Sequence, residues 1–355
     1  MIPYFILLFI IVILSLTISK KVNNKKMSLP IISIIFTLVF FAAIRKVGVG
    51  TDSGNYVYLF NDLTYKFQDG FKLIGNIEIG FLFLNYVLLK ITDQYWIFFA
   101  GISLFIVYLY VLVFRIKSLD LSVSIFIFIT SAIYLFSFNG ARQGMAAAFV
   151  ALAILYALDK KIKLFLLFVF LSTLFHKTAI IMLPFYYLIN IRFSLLNVFL
   201  LLVVSFLPIN FLAEILSLAD ENSIERYSEY IDRGATGGEL LTLFFIINNI
   251  VLIYFRKEIR IINLNTYDKL LFLANIHTII YIVVVLTGKD INLARFSIYF
   301  SVAFPLIWPI LFNDSKTFKT GLSKTIVFIA YLFFYYVYLD KMSNLTPYEL
   351  NPSLW

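Results

Sequence analysis

The sequence predicts an all-α, polytopic integral membrane protein, and three observations carry that prediction. Hydrophobic residues make up 62% of the 355 residues, against about 45–50% in soluble domains, and the mean hydropathy is +0.94. Apolar runs of roughly 18–20 residues, enough for a helix to cross a hydrocarbon layer, recur along the chain. Lysine and arginine gather in the short stretches between those runs, as the positive-inside rule expects of cytoplasmic loops. The net charge of +9 is therefore read as membrane topology, and no nucleic-acid partner is expected. The chain has no cysteine, which removes disulfide and thiol chemistry. No internal repeat or low-complexity tract is visible, and residues 1–355 are read as a single transmembrane domain.

Taken in order, about twelve spans are expected. The first, Ile2–Ser19, has no basic leader and no small-residue cleavage site, so it reads as a retained helix. Leu29–Ile44, Tyr95–Phe114, Leu121–Phe138, Gly140–Leu158, Ile162–Phe175 and Thr178–Ile191 follow. Leu195–Leu216, Leu240–Phe255, Lys269–Thr287, Asn292–Phe312 and Leu322–Leu339 complete the set. Basic residues orient them. Lys20, Lys21, Lys25 and Lys26 put the first loop inside, and Arg115 with Lys117 does so for the loop at 115–120. Lys160, Lys161 and Lys163, then Arg256, Lys257 and Arg260, then Lys316, Lys319 and Lys324 mark later inside loops.

Parity then imposes a constraint. Two inside loops must be separated by an even number of crossings, yet three apolar stretches lie between the first pair. The middle one, Ile77–Ile91, is the shortest and carries Glu78, Asn85 and Lys90. It is expected to lie along the outer interface, or to dip in and return. Everything downstream then alternates, and Arg45, Asp52, Glu78, Arg142, His176, Lys177, Arg226, Arg233 and Arg295 all fall near the outer face. Cations are disfavoured there, so their presence calls for an anionic partner: lipid headgroups or a phosphate-bearing substrate.

The stretch Asn139-Gly140-Ala141-Arg142-Gln143-Gly144 sits between two apolar runs and places an arginine where it is costly unless partnered. Arg45 to Asp52 opens the polar loop 46–76, whose glycines suit close approach to a ligand. Asp52, a carboxylate beside an apolar face, suits a general base. In Phe175-His176-Lys177-Thr178, His176 offers acid–base chemistry near neutral pH and Lys177 a point charge for phosphate. Arg295 and Tyr299 are four apart and share a helix face. The loop 217–239, with Arg226 and Arg233, is long and polar enough to act as a lid. His277, mid-span beside Asn275, reads as an interhelical hydrogen-bond residue. No H-E-x-x-H or D-x-D pattern appears, so no metal site and no cofactor is expected.

With these motifs in view, the chain resembles the EpsG-like family of bacterial polysaccharide polymerases, the Wzy class. Arg45, Val49, Gly50, Asp52 and Tyr56 match an arginine followed by V-G-x-D-x-x-x-Y. Glu78, Gly80 and Phe81 match an acidic-Gly-Phe stretch, and Asn139, Gly140, Arg142, Gln143 and Gly144 match N-G-x-R-Q-G. Phe175, His176 and Lys177 match F-H-K, and Ala294, Arg295, Tyr299 and Phe300 match A-R-x-x-x-Y-F.

The resemblance implies a GT-C-like membrane glycosyltransferase without a nucleotide-sugar donor, in the bacterial inner membrane with its site facing outward. It would transfer a glycan from undecaprenyl diphosphate to the non-reducing end of a lipid-linked repeat unit, in lipopolysaccharide O-antigen or capsule synthesis. Chain-length regulator and flippase proteins are the partners it implies. Arg45, Arg142, Lys177 and Arg295 would hold the diphosphate. Asp52 or His176 would be the base. Tyr56, Glu78, Asn139, Gln143, Arg226, Arg233 and Tyr299 would contact sugar or close the site. A flippase of lipid-linked oligosaccharide and an O-antigen-ligase-like transferase are the alternatives.

Overall fold

A computed structural model describes residues 1–18, 28–75, 77–191, 193–203, 238–288, 291–341 and 343–352. All regular elements in these residues are helical. The α-helices are α1 (Ile2–Leu16), α2 (Leu29–Ala43), α3 (Ser53–Lys66), α4 (Ile79–Leu89) and α5 (Tyr95–Lys117). Then come α6 (Leu121–Thr130), α7 (Ile133–Asn139), α8 (Ala141–Leu158), α9 (Ile162–Thr173) and the short α10 (Phe185–Leu188). After residue 237 come α11 (Glu239–Phe255), α12 (Ile261–Leu286), α13 (Ala303–Asp314) and α14 (Gly321–Lys341). Lys177–Met182 and Ile291–Phe300 are 3₁₀-helices.

Among the described residues, six helices are long and apolar enough to cross a membrane, or seven if the bent pair Leu293–Phe300 and Ala303–Asp314 forms one span. Twelve regular spans are not shown among these residues. Helices α1, α2 and α9 are apolar but short, at 15, 15 and 12 residues. Thr178–Ile191 is not a continuous helix. His176 is extended, a 3₁₀ turn follows, and Pro184, which has no N–H for a helical ladder, precedes only four α-helical residues. Asn292–Phe312 is broken by a 45° bend. Leu195–Leu216 runs beyond the described residues, as do loop 217–239 up to Gly238 and, with it, Arg226 and Arg233. The loop 46–76 is not all loop: α3 fills much of it. Its buried residues Ser53, Val57, Phe60 and Leu63 recur at helical spacing.

Helix α8 is the hub. Its alanines, Ala146, Ala147, Ala148, Ala151 and Ala153, are buried. Small side chains let α5 and α9 approach its backbone closely, the usual basis of helix association in lipid. Helices α6 and α7 make one kinked span. Ala132 between them adopts the left-handed conformation at φ 64°, which costs a non-glycine residue on the order of 1–2 kcal/mol. At the basic end of the bundle the charges are paired with one another: Arg256 grips Asp268 through two bonds of 2.6 and 2.7 Å, and Arg260 donates to Asp314 at 2.6 Å.

At the opposite end, residues 343–351 fold back as a strap over the start of the α2–α3 connection. Lys46 N–H donates to the Glu349 carbonyl at 2.9 Å, Asn351 N–H to Ile44 at 2.8 Å, and Gly50 N–H to Asn344 at 3.2 Å. Arg45 and Leu350 form an antiparallel bridge, and Tyr348 stacks on Phe41 with ring centres 4.3 Å apart. Gly50 is required where it stands. Its φ is +104°, and an added Cβ would lie 2.6 Å from the Phe138 carbonyl and 2.9 Å from Asn139 Oδ1. Gly50→Ala is expected to lower stability by about 1–3 kcal/mol. Gly48→Ala, where a Cβ meets nothing within 4 Å, should leave it unchanged; thermal unfolding of both variants in detergent checks this.

Candidate active site

The site forms where α4, α8, α3 and two irregular segments meet. Gly80 positions α4. Its N–H donates to the Leu174 carbonyl at 2.7 Å, and a Cβ there would sit 2.7 Å from that same oxygen. This close approach brings Glu78, at the N-cap of α4, against His176. Glu78 Oε1 lies 3.1 Å from His176 Nδ1, and Glu78 Oε2 accepts from Arg142 at 2.7 Å. Only 7% of the Glu78 side chain is exposed. Burial alone would raise its carboxyl. The hydrogen bond from His176 and the Arg142 charge outweigh burial and hold it down at about 2.

Helix α3 closes the cluster from a second side. Asp52 is its N-cap and Tyr56 lies one turn on. The Tyr56 hydroxyl lies within electrostatic reach of Arg142, while Asp52 Oδ2 faces Arg295 NH1 at 3.5 Å. Gln143, next to Arg142, donates to the Arg295 carbonyl at 3.0 Å. Thr178, next to Lys177, shares a 2.7 Å hydrogen bond with the Tyr299 hydroxyl. Asn139 ties the loop down: its Oδ1 accepts from Thr51 N–H at 2.9 Å, and its Nδ2 donates to Ser343 in the strap at 2.8 Å. Ser53 reaches the Phe138 carbonyl at 3.1 Å.

Glu78 thus contacts Arg142 and His176, and Arg295 contacts Asp52 and Gln143; Asn139 joins them through Thr51, Tyr299 through Thr178, and Lys177 lies next to His176 in the chain. Arg45 is not brought in. It is 5% exposed, its guanidinium lies 3.6 Å from the Phe99 ring centre and 4.1 Å from that of Phe138, and it donates to the Ala42 carbonyl. Its place is under the loop as a cation–π anchor. The interhelical hydrogen bond expected of His277 is also absent at one ring nitrogen, as Nδ1 has no partner. Among the described residues, no three His, Asp or Glu side chains gather to hold a metal ion.

The two ion pairs differ in kind. Glu78 with Arg142 and His176 is close and mostly shielded. Asp52 with Arg295 is longer, and about a third of each side chain is exposed, 30% and 34%. The second pair opens at low cost; the first does not. The order of motifs from Arg45 to Phe300 and this convergence agree with the family comparison, in which the EpsG family model matches residues 27–350. The chain belongs to the EpsG family. EpsG proteins are polysaccharide-polymerase-like membrane proteins, and the apolar helices of this one fit that class. No curated protein and no solved structure matches the chain.

Sequence reasoning missed the strap and the role of Glu78 as the bridge between Arg142 and His176. The spacing between 78 and 142 carries no periodic signal for such a pairing. Because the folded carboxyl sits at about 2 and an unperturbed glutamate near 4.3, its contribution to stability is present above about pH 4.3 and lost as pH falls toward 2. Wild type is expected to lose about 2–4 kcal/mol more than Glu78→Gln across that window, while Glu78→Gln is the less stable protein at pH 7. Thermal unfolding at stepped pH measures the difference.

Proposed function

We propose that this EpsG protein is a polysaccharide polymerase. It transfers a glycan from undecaprenyl diphosphate to a lipid-linked repeat unit at the outer face of the bacterial inner membrane. The observation that carries this reading is the meeting of Arg142, Arg295 and the Glu78–His176 pair at one end of the bundle, with Lys177 next to His176 in the chain. That end is opposite the loops whose basic residues mark the cytoplasmic side.

In the proposed step, an acceptor hydroxyl oxygen attacks the anomeric carbon of the donor sugar. The bond from that carbon to the diphosphate oxygen breaks, and the diphosphate leaves with the electron pair. His176 takes the hydroxyl proton. With Nδ1–H donated to Glu78, its Nε2 lone pair is free to act as base, and Glu78 keeps the ring in that tautomer and orientation. This favours His176 as the base, because Glu78 fixes its ring; Asp52, released when Arg295 turns to the phosphates, is the second candidate. The leaving diphosphate gains charge, and positioned cations stabilise it. Arg295 swings from Asp52 to the phosphates, since that pair is loose. Arg142 stays on Glu78 and adds its field, at the N-terminus of α8, where the helix dipole also favours an anion. Tyr56 flanks the reacting sugar; Tyr299, expected there too, is 1% exposed and holds Thr178 instead.

Purified protein in nanodiscs, incubated with lipid-linked repeat units extracted from the producing cells, is expected to give a ladder of longer glycans. His176→Ala and Arg295→Ala should each cut elongation about 100-fold or more, at unchanged thermal midpoint for Arg295→Ala. Wild type that yields no ladder but moves lipid-linked oligosaccharide across the bilayer would be a flippase, and the proposal would fall.

A further inference from the structure

Beside the charged cluster lies a cavity of about 210 Å³ that the transfer step does not use, with Arg295 on its wall. Three helices each give it two residues four positions apart: Leu241 and Phe245 from α11, Tyr281 and His277 from α12, Tyr338 and Phe334 from α14. Four residues span about 6 Å of helix axis, so the cavity runs a full turn into the bundle. Asn249 donates to the Ala274 carbonyl and Tyr267 to that of Leu252, so α11 and α12 are antiparallel. The first-named residue of each pair therefore lies toward the end where Arg295 meets Asp52, and the second lies deeper.

Most of the cavity surface is apolar. Several polar groups on its wall are already spent on the protein. The Ser131 hydroxyl donates to the Ile127 carbonyl at 2.6 Å and Ser301 to Ile298 at 2.7 Å. Asn139 uses both ends of its amide, on Thr51 and Ser343, and His277 Nδ1 is buried and does not face the cavity. Arg295 is different. Its side chain is 34% exposed and its contact with Asp52 is long, at 3.5 Å. The cavity thus presents one loosely held cation above a lining rich in ring faces.

An anionic head joined directly to one apolar chain has the matching form. A diacyl phospholipid does not, because glycerol and a second chain stand between its phosphate and each tail. An apolar cavity of about 150 Å³ takes one benzene-sized molecule, so this one takes roughly one or two five-carbon units. A longer chain has to leave for the bilayer, and the seam of α11 with α14 faces it. These two are the least buried of the six long spans, at 33% and 28%, and Leu240, Leu243 and Phe333 on them point outward. Phe244 and Phe334, stacked with ring centres 4.0 Å apart, close the seam.

We propose that this cavity holds the first one or two isoprene units of the lipid carrier, beneath a diphosphate on Arg295, with the rest of the chain leaving between α11 and α14. It rests on the glycan-transfer reading for the identity of the carrier, and it makes Leu241, Phe245 and Phe334 determinants of which lipid is accepted.

Photocrosslinking in nanodiscs tests it. The probe is farnesyl diphosphate with a diazirine on its second isoprene unit, and adducts are mapped by peptide mass spectrometry. Adducts are expected at or next to Leu241, Phe245 and Phe334. Unlabelled farnesyl diphosphate should remove them at about the probe's own concentration. Inorganic diphosphate and farnesol should each need at least about tenfold more, because the site takes head and tail together. Leu241→Trp, which fills part of the cavity, should raise the half-saturating probe concentration about tenfold at unchanged thermal midpoint. If that variant does not fold, the wild-type adduct map and competition decide. Adducts confined to other helices, a folded Leu241→Trp without effect, or competition by inorganic diphosphate or farnesol as strong as that by farnesyl diphosphate would each overturn the proposal. Equal competition by hexadecyl diphosphate would make the cavity a pocket for straight acyl chains and overturn it too. Should the adducts fall as stated while wild type builds no ladder, the transfer reading fails and the lipid site stands. A ladder with adducts elsewhere gives the reverse.

Discussion

One buried carboxylate organises this end of the molecule. Glu78 lies between an arginine and a histidine that arrive from helices far apart in the chain. An arginine inside an apolar bundle needs a counter-charge, and a buried carboxylate needs donors for both oxygens. Each requirement is met by the other group, and His176 occupies the second oxygen. The contact sets where α4 stops short of spanning, where α8 begins, and how the segment after α9 turns. Helix α8 then transmits that placement to the rest, since most of its residues are buried against neighbours.

Around this fixed centre the second pair is arranged for exchange. Asp52 and Arg295 sit at 3.5 Å with partial solvent access, a geometry of small net energy. A phosphate carries more charge than a carboxylate and accepts from arginine in the same forked geometry, so it competes well for Arg295. The protein thus keeps its cations neutralised at rest without fixing all of them. The pairing also explains how a chain of net charge +9 holds arginines away from its basic loops.

Much of this was legible in the sequence, and the remainder has physical reasons for its silence. The all-helical membrane class followed from hydropathy, and family membership from motif order. The parity of basic loops pointed to a short, non-spanning helix near 77–91, and α4 is an 11-residue helix there. Helix α3 could have been read from the spacing of Ser53, Val57, Phe60 and Leu63, but the polar residues between them masked it. Twelve regular spans are not shown among the described residues, because hydropathy does not register backbone breaks: Pro184 and the bend before Ala303 each interrupt an apolar run, whereas the run Leu121–Phe138 kinks at Ala132 and remains one span. Arg45 shares its motif with Asp52, yet its side chain turns under the loop to two phenylalanines. A linear motif says nothing of which way a side chain points. The strap at 343–351 pairs backbone with backbone about three hundred positions away, and its side-chain contacts, Lys46 with Glu349 and Phe41 with Tyr348, carry no periodic spacing that a sequence shows.

That strap makes completion of the loop depend on a segment some three hundred positions downstream. Ribosomes deliver residues in order, so a chain made only as far as α14 already carries its arginines and its imidazole while the ledge beneath Thr51 is missing. The backbone partners of Ile44, Lys46 and Gly50 arrive only with residues 344–351. Vectorial synthesis thereby separates the placing of the charges from the latching of the loop.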